Sequence, residues 1–212
     1  MSLALALAIL CAAPAQETPG LLGPAGLPRP GQHALLVTAD TELSGYPTVH
    51  LGWRHAPLDG LDVGLEVGGN DVAALVRLLL GGRIWEGAAD RVFLGTRLRA
   101  EFKRHAQVFP TGEFRPIDDL GFVFAPELSL GVRLGRERRH ALHVYAYGYA
   151  DLDVRGRPVE WFGIPGGLGY EWASRSGFHL LVDGAVGLEL GNPDTAGEPI
   201  PRLRLLLGWL GG

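Results

Sequence analysis

Residues 120–135 have the sequence LGFVFAPELSLGVRLG, and this stretch decides the fold. Apolar side chains occupy every second position from Leu120 to Leu134, whereas most positions between them carry glycine, serine or a charged residue such as Glu127 or Arg133. Because successive side chains of a β-strand point to opposite faces, this period of two predicts a strand with one apolar and one mixed, polar face. The stretch is also long enough to cross a bilayer as a tilted strand.

The same alternation recurs along the chain and predicts an all-β fold. The fourth segment is the least regular, because residues 71–80 are almost continuously apolar and also fit a short helix. Since single-chain bacterial barrels usually keep an even strand number, ten strands are predicted, with eight as the alternative. The predicted strands are residues 32–43, 46–57, 61–69, 72–81, 91–105, 119–135, 140–154, 158–173, 177–191 and 200–210.

The composition supports one folded domain. The chain has 212 residues, of which 47% are hydrophobic and 20% charged, with a net charge of -4. This balance lacks the basic excess that is typical of nucleic-acid-binding proteins, so no nucleic acid is expected as a partner. The 32 glycines exceed the usual share without the three-residue period of collagen, which favours tight turns and a crowded interior.

The first 31 residues differ from the rest of the chain. Residues 1–15 combine a short apolar stretch with Ala13-Pro14-Ala15, a small-x-small cleavage pattern, and predict an export signal that is removed. The single cysteine, Cys11, lies within that signal, so the mature chain is predicted to have no disulfide. Residues 16–31 contain four prolines among glycines and predict a linker, and residues 32–212 form the predicted barrel domain.

The alternation alone does not say which face of the barrel points outward. The polar face carries glycines such as Gly64, Gly131 and Gly169, which make room inside a narrow barrel but gain nothing on a water-facing surface. The prediction is therefore an apolar exterior and a charged interior. A secreted, soluble barrel of the lipocalin type, with the opposite polarity, is the less favoured alternative.

The last strand carries Leu203, Leu205, Leu207 and Trp209 on one face and resembles the C-terminal insertion signal of bacterial outer-membrane β-barrels. It departs from that pattern because three residues follow the aromatic one. Residues 32–210 as a whole resemble small bacterial outer-membrane β-barrel proteins as a class. The resemblance implies a single closed, antiparallel, up-and-down transmembrane barrel in a Gram-negative-type cell envelope, with the outer-membrane bilayer as its partner.

An up-and-down order of ten strands places both termini on the periplasmic side. The turns on this side are predicted to be short, around residues 59–60, 136–139 and 174–176, with one longer turn at residues 82–90. The longest links, at residues 105–118 and 192–199, fall on the outer side, as expected of such barrels. These two surface loops are the predicted contacts for a surface polysaccharide or a protein partner.

Tryptophan provides an independent check, because its amphipathic ring prefers the interface between membrane and water. Four tryptophans fall near the predicted periplasmic end and one near the opposite rim. The predicted interface aromatics are Trp53, Trp85, Trp172 and Trp209 at the periplasmic end and Trp161 at the opposite rim.

The predicted lumen holds charges of both signs. Centring two hairpins on their loops places Arg97 opposite Glu127 and Glu189 opposite Arg202. Because buried charges need partners, these residues predict a largely filled lumen rather than an open pore. The predicted charge network consists of Arg97, Arg99, Glu101, Glu127, Arg133, Asp183, Glu189, Arg202 and Arg204.

An acidic group is predicted at the outer rim, formed by Asp40, Glu42, Asp118, Asp119, Asp151 and Asp153. With His105 nearby, such carboxylates can activate water, so a small barrel hydrolase acting on envelope lipid or peptide is the alternative function. The main prediction is a non-catalytic envelope protein with no catalytic residue and no cofactor. No metal site is predicted, because the histidines lack the spacing of zinc ligands.

Overall fold

The computed structural model describes residues 20–24, 26–41, 47–70, 73–87, 89–108, 114–153, 161–163, 165–188 and 199–211. Over these residues the chain forms a closed barrel of ten antiparallel strands in up-and-down order, which confirms the predicted fold. The strands are β1 (His33–Asp40), β2 (Thr48–Leu58), β3 (Leu61–Gly69), β4 (Ala73–Gly87), β5 (Val92–Val108), β6 (Phe114–Leu134), β7 (His140–Tyr147 and Tyr149–Asp153), β8 (Trp161–Gly163 and Gly166–Ala173), β9 (Phe178–Leu188) and β10 (Pro199–Gly211).

The barrel closes because its first and last strands pair. β1 and β10 are in register from His33 opposite Gly211 to Asp40 opposite Arg204, and every other strand pairs with its neighbours in the chain. Backbone hydrogen bonds are thereby made within the wall, as a low-dielectric surrounding requires. β7 is interrupted at Gly148, whose N–H donates to the carbonyl of Pro126 at 3.0 Å and keeps the wall continuous.

The fourth segment is a strand, so the helical alternative for it is wrong. β4 continues to Gly87, through most of the stretch 82–90 that the sequence predicts as a longer turn. An irregularity in its pairing with β5, between Arg83 and Trp85, absorbs one residue and lets the strand continue past the expected end. The connection to β5 is therefore confined to residues 88–91.

The predicted outer loop at residues 105–118 is also shorter than expected. β5 extends to Val108 and β6 begins at Phe114, so the link consists of residues 109–113. The two strands remain paired from His105 onward by shifting register at Ala106. Asp118 and Asp119 consequently belong to strand β6 rather than to a loop.

The outward face of the wall is apolar and the inward face is charged. Leu130 and Leu205 are 43% and 42% exposed on the outside, whereas Arg99 and Glu101 are 8% and 3% exposed. A soluble lipocalin-type barrel needs the reverse arrangement, so that alternative is wrong. An exterior of this composition matches hydrocarbon rather than water. Within the described residues, no helix has the length and apolar character needed to cross a membrane.

Aromatic rings gather on the outward face near the short turns. Trp53 and Trp209 both lie opposite Leu35, on its two sides, and therefore share one level of the wall. Trp209 also lies opposite Phe178, which packs edge-on against Trp172 with ring centroids 6.2 Å apart. Trp85 is exposed near the end of β4, and the backbone of Trp161 begins β8 at the other side of the barrel.

Candidate functional site

The lumen holds a segment of the chain that precedes the first strand. Residues 20–28, called the N-terminal segment below, fold back into the barrel from the side of the short turns, and nearly all of those described are buried. Leu22 is 1% exposed and packs with Leu36, Leu181 and Leu206 of the wall. Leu21 is completely buried beside Phe93. The segment thus fills the half of the lumen nearest the short turns, called the lower half.

A single carboxylate accepts the backbone donors of this segment. Glu171 of β8 accepts the N–H of Leu22 at 2.7 Å on Oε1 and the N–H of Gly23 at 2.8 Å on Oε2. His179 Nδ1 lies 2.8 Å from Oε1, and His143 Nε2 lies 3.3 Å from Oε2. Both oxygens of this buried carboxylate are therefore engaged by the segment and by the two imidazoles.

Two arginines engage the carbonyl oxygens of the same segment. Arg54 Nη1 donates to Leu22 O at 2.8 Å, and its guanidinium also pairs with the buried carboxylate of Asp62. Arg97 Nη2 donates to Gly23 O at 3.2 Å and to Gly26 O at 3.3 Å. The lower half therefore satisfies donors and acceptors of the inserted backbone with charged side chains, which form strong hydrogen bonds in a low-dielectric interior.

The other half of the lumen, called the upper half, is organised around Arg77 of β4. Its guanidinium contacts Glu66 Oε2 at 2.9 Å and Glu101 Oε2 at 2.8 Å, on the strands to either side. Asp40 Oδ2 lies 3.5 Å from Arg77 Nη1, which ties β1 to the same cluster. The Asp40 carboxylate also accepts a 2.6 Å hydrogen bond from Thr48.

A second charge cluster lies on β7, β9 and β10. Asp183 accepts hydrogen bonds from Tyr145 Oη and from Arg204 Nε, both at 2.6 Å. The guanidinium groups of Arg99 and Arg202 lie 5.6 Å and 5.3 Å from the ring centroid of Tyr147, within the range of cation–π attraction. Aromatic rings thus share the task of accommodating buried arginines.

A cavity of about 30 Å³ lies between these groups and the N-terminal segment. Leu22 of the segment forms part of its wall. Its charged and aromatic lining consists of Arg54, Arg77, Arg97, Arg99, Arg204, Glu66, Glu127 and Tyr147.

The structure places most members of the predicted charge network on the inner face. The register sets Arg97 opposite Glu127, as expected. The other expected pair is wrong, because Arg202 lies opposite Ala185, and Glu189 lies outside the described residues. Arg133 is buried lower down, with its guanidinium 5.1 Å from the ring centroid of Phe93.

Asp40 is the one member of the predicted acidic rim whose side chain the structure describes. Asp40 is 2% exposed and lies inside the lumen in the Arg77 cluster. Glu42 lies outside the described residues. The backbones of Asp118 and Asp119 lie in β6, and those of Asp151 and Asp153 lie in β7. No group of His, Cys, Asp and Glu in the described part of the chain is arranged to hold a metal ion.

Several residues that form the main contacts in the lumen were not identified from the sequence. Arg54, Glu66, Arg77 and Glu171 lie on the inner face, at alternating positions of their strands, so the period of two was sufficient to find them. The insertion of residues 20–28 had no such signal, because a Pro/Gly-rich stretch has no strand or helix period. Its only distinguishing mark is the presence of Leu21, Leu22 and Leu27 among those residues.

No known family model matches the sequence, and no curated protein matches it. The chain is similar to solved outer-membrane proteins. For the NanC porin, the TM-score is 0.49 and the identity 8%, over 82% of this chain and 98% of the porin. For the translocator domain of the autotransporter NalP from Neisseria meningitidis, the TM-score is 0.40 and the identity 12%, over 97% of this chain and 92% of the translocator domain.

For the outer membrane protein OprD from Pseudomonas aeruginosa, the TM-score is 0.33 and the identity 11%, over 78% of this chain and 59% of OprD. These proteins are outer-membrane barrels, which matches the class that the sequence resembles. At such identities and TM-scores, the likenesses carry no argument about a ligand, an activity or a conducting pore.

Proposed function

We propose that the chain is a non-catalytic, integral β-barrel of the bacterial outer membrane whose lumen is closed by its own N-terminal segment. In this proposal, residues 1–15 direct export and are removed, and the short turns face the periplasm. The barrel anchors the protein, and the outer connections, including residues 109–113 and 192–198, contact a surface polysaccharide or a protein. Residues 192–198 lie outside the described part of the chain.

The observation that carries the proposal is the way in which the segment is held. Its backbone donors are accepted by Glu171, and its carbonyl oxygens are contacted by Arg54 and Arg97. Placing peptide groups in a barrel without partners costs free energy, because water is displaced from each of them. Here the wall supplies those partners, so the segment is a fitted part of the lumen.

The apolar exterior supports the membrane assignment. Leucine and valine side chains such as Leu35, Leu51 and Leu168, which are 64%, 61% and 67% exposed, gain nothing from contact with water. In the hydrocarbon layer the same side chains need no further burial, and tryptophans near the short turns suit the adjacent interface.

Conductance in planar bilayers tests the closed lumen. The wild-type chain is expected to insert without steady currents, whereas Gly23→Val should give open channels. A Cβ atom at Gly23 would lie 2.5 Å from His143 Nε2 and 2.8 Å from Glu171 Oε2, so a valine forces the segment out of its position. The matched control is Gly148→Val, because a Cβ atom there meets nothing within 4 Å.

Two further measurements make the result decisive. Heat-modifiable gel mobility establishes that each variant is a folded barrel before its currents are recorded. A deletion of residues 20–28 should conduct at least as strongly as Gly23→Val. Steady wild-type currents would overturn the closed lumen, and a folded but silent deletion variant would show that another part of the chain closes it.

A further inference from the structure

The cavity above the N-terminal segment contains polar atoms that the described residues do not satisfy. Arg97 is 93% buried and uses Nη2 to hold the segment, but its Nε has no hydrogen-bond partner among the described residues. The same holds for Arg204 Nη2 and for Glu127 Oε1. The first two atoms are donors and the third is an acceptor. All three residues line one cavity.

The charge of the cavity lining favours a negative ligand. Five guanidinium groups line the cavity, against the carboxylates of Glu66 and Glu127. Arg77 is already shared between Glu66 and Glu101, and Arg54 is paired with Asp62. Arg204 is bonded to Asp183 through Nε, and its Nη2 is the donor that faces the cavity without a partner among the described residues. Guanidinium groups bind oxyanions strongly, because their N–H donors match the spacing of the oxygens.

The position of Glu127 narrows the class of anion. A carboxylate repels an oxyanion that carries no proton, whereas a protonated oxyanion donates its O–H to the carboxylate oxygen. We propose that this cavity binds a small protonated oxyanion, with P–O⁻ or similar oxygens toward Arg97 and Arg204 and an acidic O–H toward Glu127. Inorganic phosphate is the simplest such ligand, and sulfate is its unprotonated counterpart.

This site adjoins the contacts that hold the N-terminal segment and shares Arg97 with them. Glu171 holds the segment but does not line the cavity, and both of its oxygens are engaged by the segment and by histidines. The buried His143–Glu171–His179 group therefore offers no room for a further ligand. Arg97 belongs to both places, since its guanidinium contacts the segment and faces the cavity.

Titration calorimetry on the full chain in detergent, with inorganic phosphate as the probe, tests the proposal. The wild-type protein should bind phosphate, and sulfate should bind about tenfold more weakly or not at all. Arg97→Gln should reduce phosphate affinity by about tenfold or more, because one charge-assisted donor is lost. Glu127→Gln should reduce the difference in affinity between phosphate and sulfate, because the negative charge that repels sulfate is removed.

Two variants serve as controls. Arg83→Gln changes a residue near the lower end of β4 that pairs with Asp59 and Glu86, and it should leave phosphate binding unchanged. Glu137→Gln changes an exposed carboxylate that contacts Arg175 and Arg139, and it should also leave phosphate binding unchanged. Absence of phosphate binding to the wild-type chain, or equal binding of phosphate and sulfate, would overturn the proposal. Conductance is not part of this test, so failure of the closed lumen and failure of the anion site are distinguishable.

Discussion

The two halves of the lumen are filled by different means. In the lower half, the N-terminal segment, which is not part of the wall, is held by hydrogen bonds to Glu171, Arg54 and Arg97. In the upper half, side chains of neighbouring wall strands meet around Arg77. The segment is not paired into the wall, whereas the residues of the Arg77 cluster belong to the wall strands themselves. The contacts of the lower half can therefore be lost without breaking the wall, and those of the upper half are built into it.

The largest effect is expected in the upper half. Arg77→Met removes the shared partner of Glu66 and Glu101 and leaves two carboxylates buried without it. Breaking a buried ion pair from one side costs about 3–5 kcal/mol, because the remaining charge is not compensated. Urea unfolding of the barrel in lipid vesicles should show a loss of this size.

The matched control for that experiment is Arg83→Met. Arg83 pairs with Asp59 and Glu86 at a turn, where the side chains are partly exposed and screened by solvent. Such pairs contribute about 0–1 kcal/mol, so the control should unfold close to the wild type. Equal losses in the two variants would show that the upper cluster is not a structural centre of the barrel.

A smaller and more local effect is expected in the lower half. Glu171→Gln replaces one acceptor oxygen by an NH₂ group, so that one of the N–H groups of Leu22 and Gly23 faces a donor instead of an acceptor. We expect a loss of about 2 kcal/mol in holding the segment, which corresponds to charge-assisted hydrogen bonds to buried groups. Hydrogen exchange at the amides of Leu22 and Gly23 should accelerate, while exchange at the strands around Arg77 stays slow.

The control variant here is Glu86→Gln, which removes a carboxylate from the partly exposed turn cluster. It should leave exchange in the N-terminal segment unchanged. If Glu171→Gln accelerates exchange throughout the barrel, the segment is coupled to the whole wall, and the contrast between the two halves is lost.

The strands of the wall could be predicted from the sequence because each strand residue faces either the bilayer or the lumen. The two surroundings select side chains of different polarity. The alternation predicts ten strands and their inward faces, and a symmetric hairpin predicts Arg97 opposite Glu127. The same assumption fails for Arg202, because β9 and β10 pair with Arg202 opposite Ala185, so the hairpin is displaced from the expected centre. Strand ends also shift where an irregularity absorbs a residue, as between Arg83 and Trp85.

The filling of the lower half could not be predicted in this way. The segment is held by residues that are distant in sequence, such as Glu171, which lies 149 positions from Leu22. No local pattern encodes such a contact, because a Pro/Gly-rich stretch serves as a linker in one setting and as a fitted segment in another. The strand pattern identifies Glu171, Arg54 and Arg97 as inward polar residues, but it does not show that the N-terminal segment is their partner.

The smallest effect is expected outside the lumen, at the turn between β6 and β7. Glu137 accepts a 2.5 Å hydrogen bond from Arg175 of the next turn on this side, and this contact, with Arg139, lowers the pKa of Glu137 below its ordinary value of 4.5. A carboxylate with a lowered pKa in the folded state stabilises the fold above its unfolded pKa. That contribution is lost as the pH falls through the lowered folded value.

Glu137→Gln should therefore change the urea midpoint slightly at about pH 7, and the difference should disappear as the pH falls through the lowered pKa of Glu137, below which the wild-type carboxylate is protonated as well. Salt should weaken the difference at neutral pH, because the pair is exposed and screened. A difference that persists unchanged at low pH would show that Glu137 acts through packing rather than through its charge. A loss of stability as large as that of Arg77→Met would contradict the comparison. An exposed ion pair at a turn would then contribute as much free energy as the buried cluster in the lumen.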